Sequence, residues 1–320
     1  MDSQTSAESY RLGFIGAGKL SGSVMRGQVR AKFYRPDEII ASEPNDNTRA
    51  ALQNELGIAV TAENREAAKR SETIFVAVKP AVVLPVVQEL AEWMKDKLVI
   101  SLAAGVRLES MENVADARLM RVLTNTPSAI CRAATAIARG ARTTAGDFEL
   151  AKTIFKAIGV VVDVSEEQID AVTALSGSGP AFVYTVIEAL AKGGEKMGLA
   201  ADVALTLATQ TVLGVAQLAL ETKLSPEELR KMVVTPGGTT AAGLAAMEKQ
   251  GATESLIAAV EAATKRGQER RVRRSLRRRA NCEEQLASAL VTAGSVGLRT
   301  TAEVTHARAS QEWHRHRPHF

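Results

Sequence analysis

Near its start the chain reads Leu12-Gly13-Phe14-Ile15-Gly16-Ala17-Gly18-Lys19-Leu20-Ser21. An apolar run followed by G-x-G-x-x-[small] predicts the turn between a first strand and a first helix. Gly16 permits the tight turn, and Gly18 lets an anion approach the backbone where the N–H groups of a helix N-terminus are free. Ser21 stands where a third glycine or alanine usually packs the helix on the strand. The motif predicts a dinucleotide-binding loop, and its alternative is a purely structural glycine turn.

The chain that follows alternates short apolar runs with helical stretches, which predicts a parallel sheet covered on both faces. After about residue 167 the strand pattern stops, and residues 180–269 read as Ala- and Leu-rich helices. We therefore predict an α/β Rossmann-type domain over residues 10–167 and an all-α domain over residues 168–269. The predicted strands are Leu12–Gly16, Glu38–Ser42, Ile58–Val60, Thr73–Val78, Leu98–Ser101, Leu119–Leu123, Ala134–Ala138 and Val160–Val164, and helix breaks are predicted at Gly198-Leu199, Ser225-Pro226 and Pro236-Gly237-Gly238.

Charge is unevenly distributed. Residues 270–320 carry 11 Lys/Arg and 4 Asp/Glu, whereas residues 1–269 carry 29 and 32. A basic tail can bind nucleic acid or anionic lipid, but a disordered or solvated extension is the simpler interpretation, and we expect no nucleic-acid partner. The tail also holds all four histidines, which argues against a Ser/His/Asp hydrolase or a His-ligated metal site in the body. They are His306, His314, His316 and His319.

The compartment is predicted from the first residues and the cysteines. Residues 1–9 are polar and slightly acidic, unlike a signal or transit peptide. No apolar run approaches the roughly 18 residues that suggest a membrane span. Cys131 and Cys282 form no disulfide or metal pattern. We expect a cytoplasmic protein with no membrane partner.

The end of the second predicted strand usually meets the adenosine ribose of a bound dinucleotide. Glu43 lies there, near the spacing of about 20 residues from the glycine loop that is typical of an acidic ribose ligand. Its carboxylate would accept from the 2′-hydroxyl and repel a 2′-phosphate, which favours NADH over NADPH. A solvated loop glutamate is the alternative, and the nearby Arg49 leaves the choice of cofactor open.

Two later strand ends are rich in small residues, and a cofactor can lie against the backbone there, although tight packing explains small residues equally well. They are Val76-Ala77-Val78-Lys79-Pro80 and Ser101-Leu102-Ala103-Ala104-Gly105. The next strand ends in Leu123-Thr124-Asn125, which adds polar groups to the same crevice.

Two further segments lie in the helical half, DAVTALSGSGPA at 170–181 and TPGGTTAAGL at 235–244. Pro180 fits the first turn of a long helix, and the glycines at 177 and 179 permit a close backbone approach. Residues 236–240 read as a helix N-terminus with exposed N–H groups and hydroxyls, suited to a carboxylate, or as an ordinary glycine turn with a threonine cap.

With the strand ends, these segments resemble the pyrroline-5-carboxylate reductases over residues 11–269. The resemblance implies reduction of 1-pyrroline-5-carboxylate to L-proline with NADPH or NADH, the last step of proline biosynthesis. It also implies helical domains that interlock into a homodimer, association of dimers up to a decamer, and active sites shaped by two subunits.

The resemblance assigns roles to individual residues. Thr173 would supply the hydroxyl beside the imine nitrogen, although a buried helix-capping hydroxyl is the alternative. Positioning and desolvation of the iminium would supply most of the rate, which suits a body without histidine. The substrate contacts are Glu166, Ser176, Ser178, Thr235, Gly238, Thr239 and Thr240, and the cofactor contacts are Gly16, Ala17, Gly18, Lys19, Leu20, Glu43, Asn64, Ala77, Val78, Lys79, Pro80, Ala103, Ala104 and Asn125; no metal is expected.

Two departures and two rival hypotheses accompany this resemblance. Met232 stands where relatives often have Asn, and Glu43 where many have Ser. A β-hydroxyacid dehydrogenase would need a Lys and an Asn after the second glycine, where Val183 and Ile187 stand instead. A sensor that binds a dinucleotide without chemistry would not need the threonine-rich segment at 235–240.

Overall fold

The computed structural model describes residues 9–269, so the basic tail at 270–320 lies outside the described residues. One eight-stranded sheet dominates the first half, in the order β3-β2-β1-β4-β5-β6-β7-β8. Every strand predicted from the sequence is present, with ends shifted by a few residues. The strands are β1 (Tyr10–Ile15), β2 (Ile39–Ser42), β3 (Ala59–Thr61), β4 (Ser71–Val76), β5 (Leu98–Ser101), β6 (Arg118–Leu123), β7 (Ala133–Arg139) and β8 (Gly159–Asp163).

The sheet is parallel as predicted except for one antiparallel pair. β7 pairs with β6 in antiparallel register, with Leu123 opposite Ala136 and Met120 opposite Arg139. A parallel connection needs about a dozen residues or more, usually with a helix, and the segment at 124–132 is shorter than that. The chain therefore reverses, and β8 then pairs in parallel with β7 after a helical crossover.

Helices cover both faces of the sheet and enclose two apolar cores. Phe14 and Phe75 stack in one of these cores with ring centroids 4.5 Å apart. Strands buried on both faces read as continuous apolar runs, which is why the sequence revealed them. The helices of this half are α1 (Lys19–Arg30), α2 (Asp46–Leu56), α3 (Asn64–Lys69), α4 (Val83–Glu89), α5 (Ala91–Met94), α6 (Leu108–Glu112) and α7 (Ala145–Lys156).

The second half is helical throughout the described residues, and each predicted break lies between two of its helices. α9 and α10 pack against each other through small buried residues, Ala191, Ala204 and Ala208. The helices are α8 (Ile169–Val172), α9 (Gly179–Lys196), α10 (Ala201–Thr222), α11 (Pro226–Val233), α12 (Thr239–Lys249) and α13 (residues 252–269).

The surface of this helical half is unusually apolar. Leu205, Leu207, Leu213 and Leu220 on α10 are all exposed. By length and composition alone α10 could cross a membrane, although Thr, Gln and Gly interrupt it, so that it is not a continuous apolar run.

Candidate active site

The glycine loop joins β1 to α1 in a conformation that requires glycine. Gly16 has φ +95°, and a Cβ there would lie 3.0 Å from Val78 Cγ1 and 3.1 Å from the backbone of Ala77. A Cβ on Gly18 would instead meet open space within 4 Å. Gly16 therefore allows the β1 and β4 ends to approach closely, while Gly18 keeps the outer side of the loop clear.

The start of α1 has the properties of an anion site. No side chain caps the helix at Gly18, and its first turn contains no acidic residue. The amides of an uncapped N-terminus carry partial positive charge and need an acceptor. The buried Ser21 hydroxyl donates to the carbonyl oxygen of Gly16 at 2.9 Å, so it braces the loop and packs inward as the motif predicts. A dinucleotide pyrophosphate fits this arrangement.

Glu43, just past β2, is tied to the glycine loop. The backbone N–H of Ala17 donates to Glu43 Oε2 at 3.3 Å, and that of Asn45 donates to Oε1 at 3.2 Å. Arg49 donates to the Glu43 carbonyl oxygen at 2.5 Å. A freely solvated loop glutamate would make no such bonds. The carboxylate therefore borders the edge of the crevice where the sequence placed a ribose ligand.

Asn64 begins α3 beside the same strand end, where its Oδ1 accepts from the Ser42 hydroxyl at 2.8 Å. The ends of β4 and β5 lie next along the sheet, because β1, β4 and β5 are parallel neighbours. Ala77, just past β4, is half-buried and its backbone lies beside Gly16, whereas Ala103, just past β5, is buried. Lys19, Leu20, Val78, Lys79, Pro80 and Ala104 belong to the same loops and helix start.

The segment bearing Thr173 is a wide helical turn between α8 and α9. At Thr173–Gly177 the hydrogen bonds span five residues, and Ser178 N–H donates to the Thr173 carbonyl oxygen at 2.9 Å. Such wide turns are rare and often occur at functional sites. A Cβ on Gly177 would lie 3.8 Å from Leu123 Cδ2, so the turn sits over the end of β6.

Hydroxyl groups on this turn bond back to the helix. Thr173 Oγ1 donates to the Ile169 carbonyl oxygen at 2.7 Å, and Ser176 Oγ donates to that of Val172 at 3.1 Å. The hydroxyl proton of Thr173 is thus engaged, while the oxygen keeps its capacity to accept. Ser178 is the residue before α9, with its backbone still helical.

Glu166 is held by a partner that the sequence analysis did not identify. Arg121 Nη1 lies 2.8 Å from Glu166 Oε1, and the side chain of Arg121 is only 3% exposed. The backbone N–H of Leu108 donates to the same carboxylate oxygen at 3.2 Å. The available signal was an arginine inside a buried strand, which needs a counter-ion. Arg121 Nη2 and Glu166 Oε2 are buried with no hydrogen-bond partner among residues 9–269.

The segment at 235–240 has the local structure expected of a helix N-terminus. Gly238 precedes α12, and a Cβ there would lie 2.3 Å from Thr235 Oγ1, so a larger residue would displace that hydroxyl. Thr235 and Thr239 are exposed, and Thr240 is half-buried. Across residues 9–269, no hydrogen bond or ion pair joins this segment to the sheet edge. Among the described residues, hydrogen bonds thus tie the glycine loop and the Thr173 turn to the sheet, but not the segment at 235–240. Within that same range, no group of His, Cys, Asp and Glu could hold a metal ion.

The fold and the glycine crevice define a dinucleotide-dependent oxidoreductase of the Rossmann type. Residues 11–105 match the family model described as NADP oxidoreductase, coenzyme F420-dependent. Residues 166–270 match the model described as pyrroline-5-carboxylate reductase dimerisation. The chain belongs to the pyrroline-5-carboxylate reductase family, which confirms the resemblance and the predicted fold class.

Relatives support this assignment over most of the chain. A pyrroline-5-carboxylate reductase of Methanosarcina acetivorans is 42% identical over 265 residues, 82% of this chain and 98% of the relative. That of Pisum sativum is 41% identical over 265 residues, 82% of this chain and 97% of the relative.

Solved structures agree with the sequence relatives. The pyrroline-5-carboxylate reductase of Coxiella burnetii superposes with a TM-score of 0.75 at 34% identity, covering 82% of this chain and 99% of the other. A Plasmodium falciparum pyrroline carboxylate reductase with NADP bound has a TM-score of 0.74 at 26% identity over the same shares.

Proposed function

We propose that the protein reduces 1-pyrroline-5-carboxylate to L-proline with NADPH or NADH. The observation that carries this proposal is the wide Thr173 turn, which lies over the carboxyl end of β6. The glycine loop follows the carboxyl end of β1, so the two lie at the same end of the parallel strands. A crevice that accepts a dinucleotide at one end and offers a hydroxyl at the other suits hydride transfer to a small ring. Family membership over residues 11–270 supports the same reaction.

The cofactor would be held by the loop at 16–20 and by the ends of β2, β4, β5 and β6. Bound NAD(P)H supplies the hydride for the C=N carbon. The uncapped start of α1 suits its pyrophosphate, and Glu43 suits the two hydroxyls of an unphosphorylated ribose. Asn64, Ala77–Pro80, Ala103, Ala104 and Asn125 would line the remainder.

Thr173 would act as an acceptor toward the substrate. Its proton is committed to the Ile169 carbonyl oxygen, so the hydroxyl oxygen can receive the N–H of an iminium. A substrate that binds already protonated needs no general acid at this position. The residue would therefore orient and stabilise the cation, and the described residues accomplish this without a histidine.

The substrate carboxylate would be bound by Thr235, Gly238, Thr239 and Thr240 at the start of α12. Since no hydrogen bond or ion pair among residues 9–269 joins this segment to the crevice, we infer that a second subunit's segment completes each site. The exposed leucines of α10 and the match to a dimerisation family support a homodimer. Association of such dimers into a decamer is the larger assembly that we propose. Glu166, Ser176 and Ser178 would border the substrate from the crevice side.

Two broader inferences accompany this function. The division into a cofactor domain at 10–167 and a substrate domain at 168–269 is supported by the end of β8 at Asp163 and the start of α8 at Ile169. A reducing, cytoplasmic compartment suits the free thiol of Cys131.

A direct assay tests the reaction. Purified protein is mixed with NADPH or NADH, with and without 1-pyrroline-5-carboxylate, and both cofactor absorbance and proline are measured. We expect oxidation only when the imine is present, with one L-proline formed per cofactor oxidised. Cofactor binding without imine-dependent oxidation would instead identify a dinucleotide sensor.

A further inference from the structure

The wide turn ends at a proline that interrupts the helical hydrogen bonds. In a continuous helix the amide of residue 180 would donate to the carbonyl oxygen of Ser176. Pro180 has no N–H, so this bond cannot form, and the helix itself leaves that oxygen without its usual donor. A carbonyl oxygen close to the sheet edge needs another partner.

Asn125, which follows β6, supplies that partner. Its Nδ2 donates to the Ser176 carbonyl oxygen at 3.1 Å. Its Oδ1 accepts from the backbone N–H of Ala134, at the start of β7, also at 3.1 Å. The Ala134 N–H can only donate, so it fixes which way the amide is turned and directs Nδ2 at the helix. At 8% exposure the side chain is shielded from competing water.

We propose that Asn125 is a positioning residue that replaces the N–H missing at Pro180 and thereby fixes the Thr173 turn over the crevice. Ser176 belongs to the same turn as Thr173, and Thr173 is locked to Ile169 by its own hydroxyl. The hydrogen bond that fixes the Ser176 carbonyl oxygen therefore also fixes the position of the Thr173 hydroxyl above the end of β6. This role is additional to any contact with cofactor, and it rests on the proposed function only for the consequence in catalysis.

The first variant is Asn125→Asp, whose ionised carboxylate still accepts from Ala134 N–H but offers Ser176 no donor. Asn125→Ala, which removes the amide altogether, accompanies it in case the new carboxyl group is protonated. We expect kcat to fall by about 10-fold to about 100-fold, since small misplacements of reacting groups cost that much. Any rise in the KM for the cofactor would report the separate cofactor contact proposed for Asn125, and Pro180→Ala should not reverse it.

The decisive change is Pro180→Ala, made in the unaltered protein and in each of the two Asn125 variants. It restores an N–H that can donate to the Ser176 carbonyl oxygen, so kcat should recover several-fold while Pro180→Ala alone changes little. Hydrogen exchange of the peptide at 173–179 gives the same comparison without turnover. We expect faster exchange in the Asn125 variants and slower exchange again once Pro180→Ala is added.

A matched control lies one residue away. The buried hydroxyls of Thr124 and Thr135 bond to each other at 2.8 Å between β6 and β7, without reaching the turn. Replacing both by valine removes a hydrogen bond at the same strand ends and leaves no orphaned partner. We expect the exchange of 173–179 to be unchanged, because neither hydroxyl bonds to the Ser176 carbonyl oxygen.

The outcomes separate two ideas. No recovery of kcat from Pro180→Ala, together with unchanged exchange at 173–179, would overturn the proposal and leave Asn125 as a cofactor contact alone. If the unaltered protein fails to reduce the imine, the proposed function fails, and the exchange comparison still decides the role of Asn125.

Discussion

The two halves of the molecule differ in how completely each one buries its apolar residues. In the α/β half, large side chains such as Phe14, Phe75 and Phe155 are fully buried between sheet and helices. In residues 180–269 the buried apolar residues are three alanines, while leucines and valines of α9 and α10 are exposed. The first half buries its large apolar side chains within one chain. The second half exposes an apolar surface of the kind that another chain usually covers.

This difference also separates the two parts of the site. The glycine loop, Glu43 and the Thr173 turn are joined to one sheet edge by bonds within the chain. The segment at 235–240 has the local structure of a helix N-terminus, but it belongs to the helical half, whose apolar side chains are exposed in the single chain. The residues proposed to hold the cofactor are thus brought together within one chain, whereas the proposed carboxylate site would need a second subunit.

The largest expected effect on activity comes from adding a charge to the exposed apolar surface of the helical half. Leu213, 53% exposed on α10, is replaced by glutamate. An unpaired carboxylate buried in an interface costs roughly 3–5 kcal/mol, which weakens a dimer by more than about 100-fold. We expect sedimentation to show monomers and the activity to be largely lost, while cofactor binding persists.

A matched substitution sharpens this test. Leu150 on α7 is an exposed leucine of the α/β half, and Leu150→Glu should alter neither assembly nor turnover. An active monomer of Leu213→Glu would show that each chain builds its whole site alone and would overturn the proposed shared site.

A smaller effect on activity is expected from a change at the Thr173 turn, which lies over the end of β6 in the same chain. Thr173→Val removes the hydroxyl that would accept from the iminium. A hydrogen bond to a charged group contributes about 1.5–3 kcal/mol, so kcat should fall by about 10-fold to about 100-fold. Steady-state kinetics and cofactor titration measure the two properties separately. An equal loss of cofactor affinity would count against the proposed role.

The smallest effect concerns the choice of cofactor. Glu43→Ser removes a carboxylate beside the glycine loop and should raise the kcat/KM ratio of NADPH to NADH by about 10-fold, equivalent to about 1.4 kcal/mol. Glu43→Gln is the control, because it keeps the acceptor for Ala17 N–H and loses the charge. If charge is the cause, both variants shift the ratio alike; an unchanged ratio means that Glu43 does not face the ribose.

Sequence patterns predicted the elements well where burial leaves a simple signature. Continuous apolar runs located all eight strands, and glycine or proline marked the breaks between α9, α10, α11 and α12. The direction of β7 was missed because it depends on the length of its connection to β6. No single residue encodes that length.

The site was predicted less completely, because several of its features are tertiary. The wide turn at Thr173–Gly177 has no periodicity that distinguishes it from an ordinary helix start. The pairing of Arg121 with Glu166 joins residues far apart in the chain. Glu43 could be suspected from its position, but its bond to Ala17 is visible only in the folded chain.

The antiparallel direction of β7 determines how the chain reaches the Thr173 turn. Because β7 and β8 run against β1 to β6, the chain leaves β8 at the level of Val122 in β6, heading away from the crevice, and must turn back. Glu166, anchored on Arg121 in β6, marks the turning point, and α8 makes the return. Deleting one residue between Glu166 and Thr173 would rotate the hydroxyl by roughly 100° about the helix axis. Insertions and deletions should therefore be far less tolerated in this short segment than in the surface loops around it.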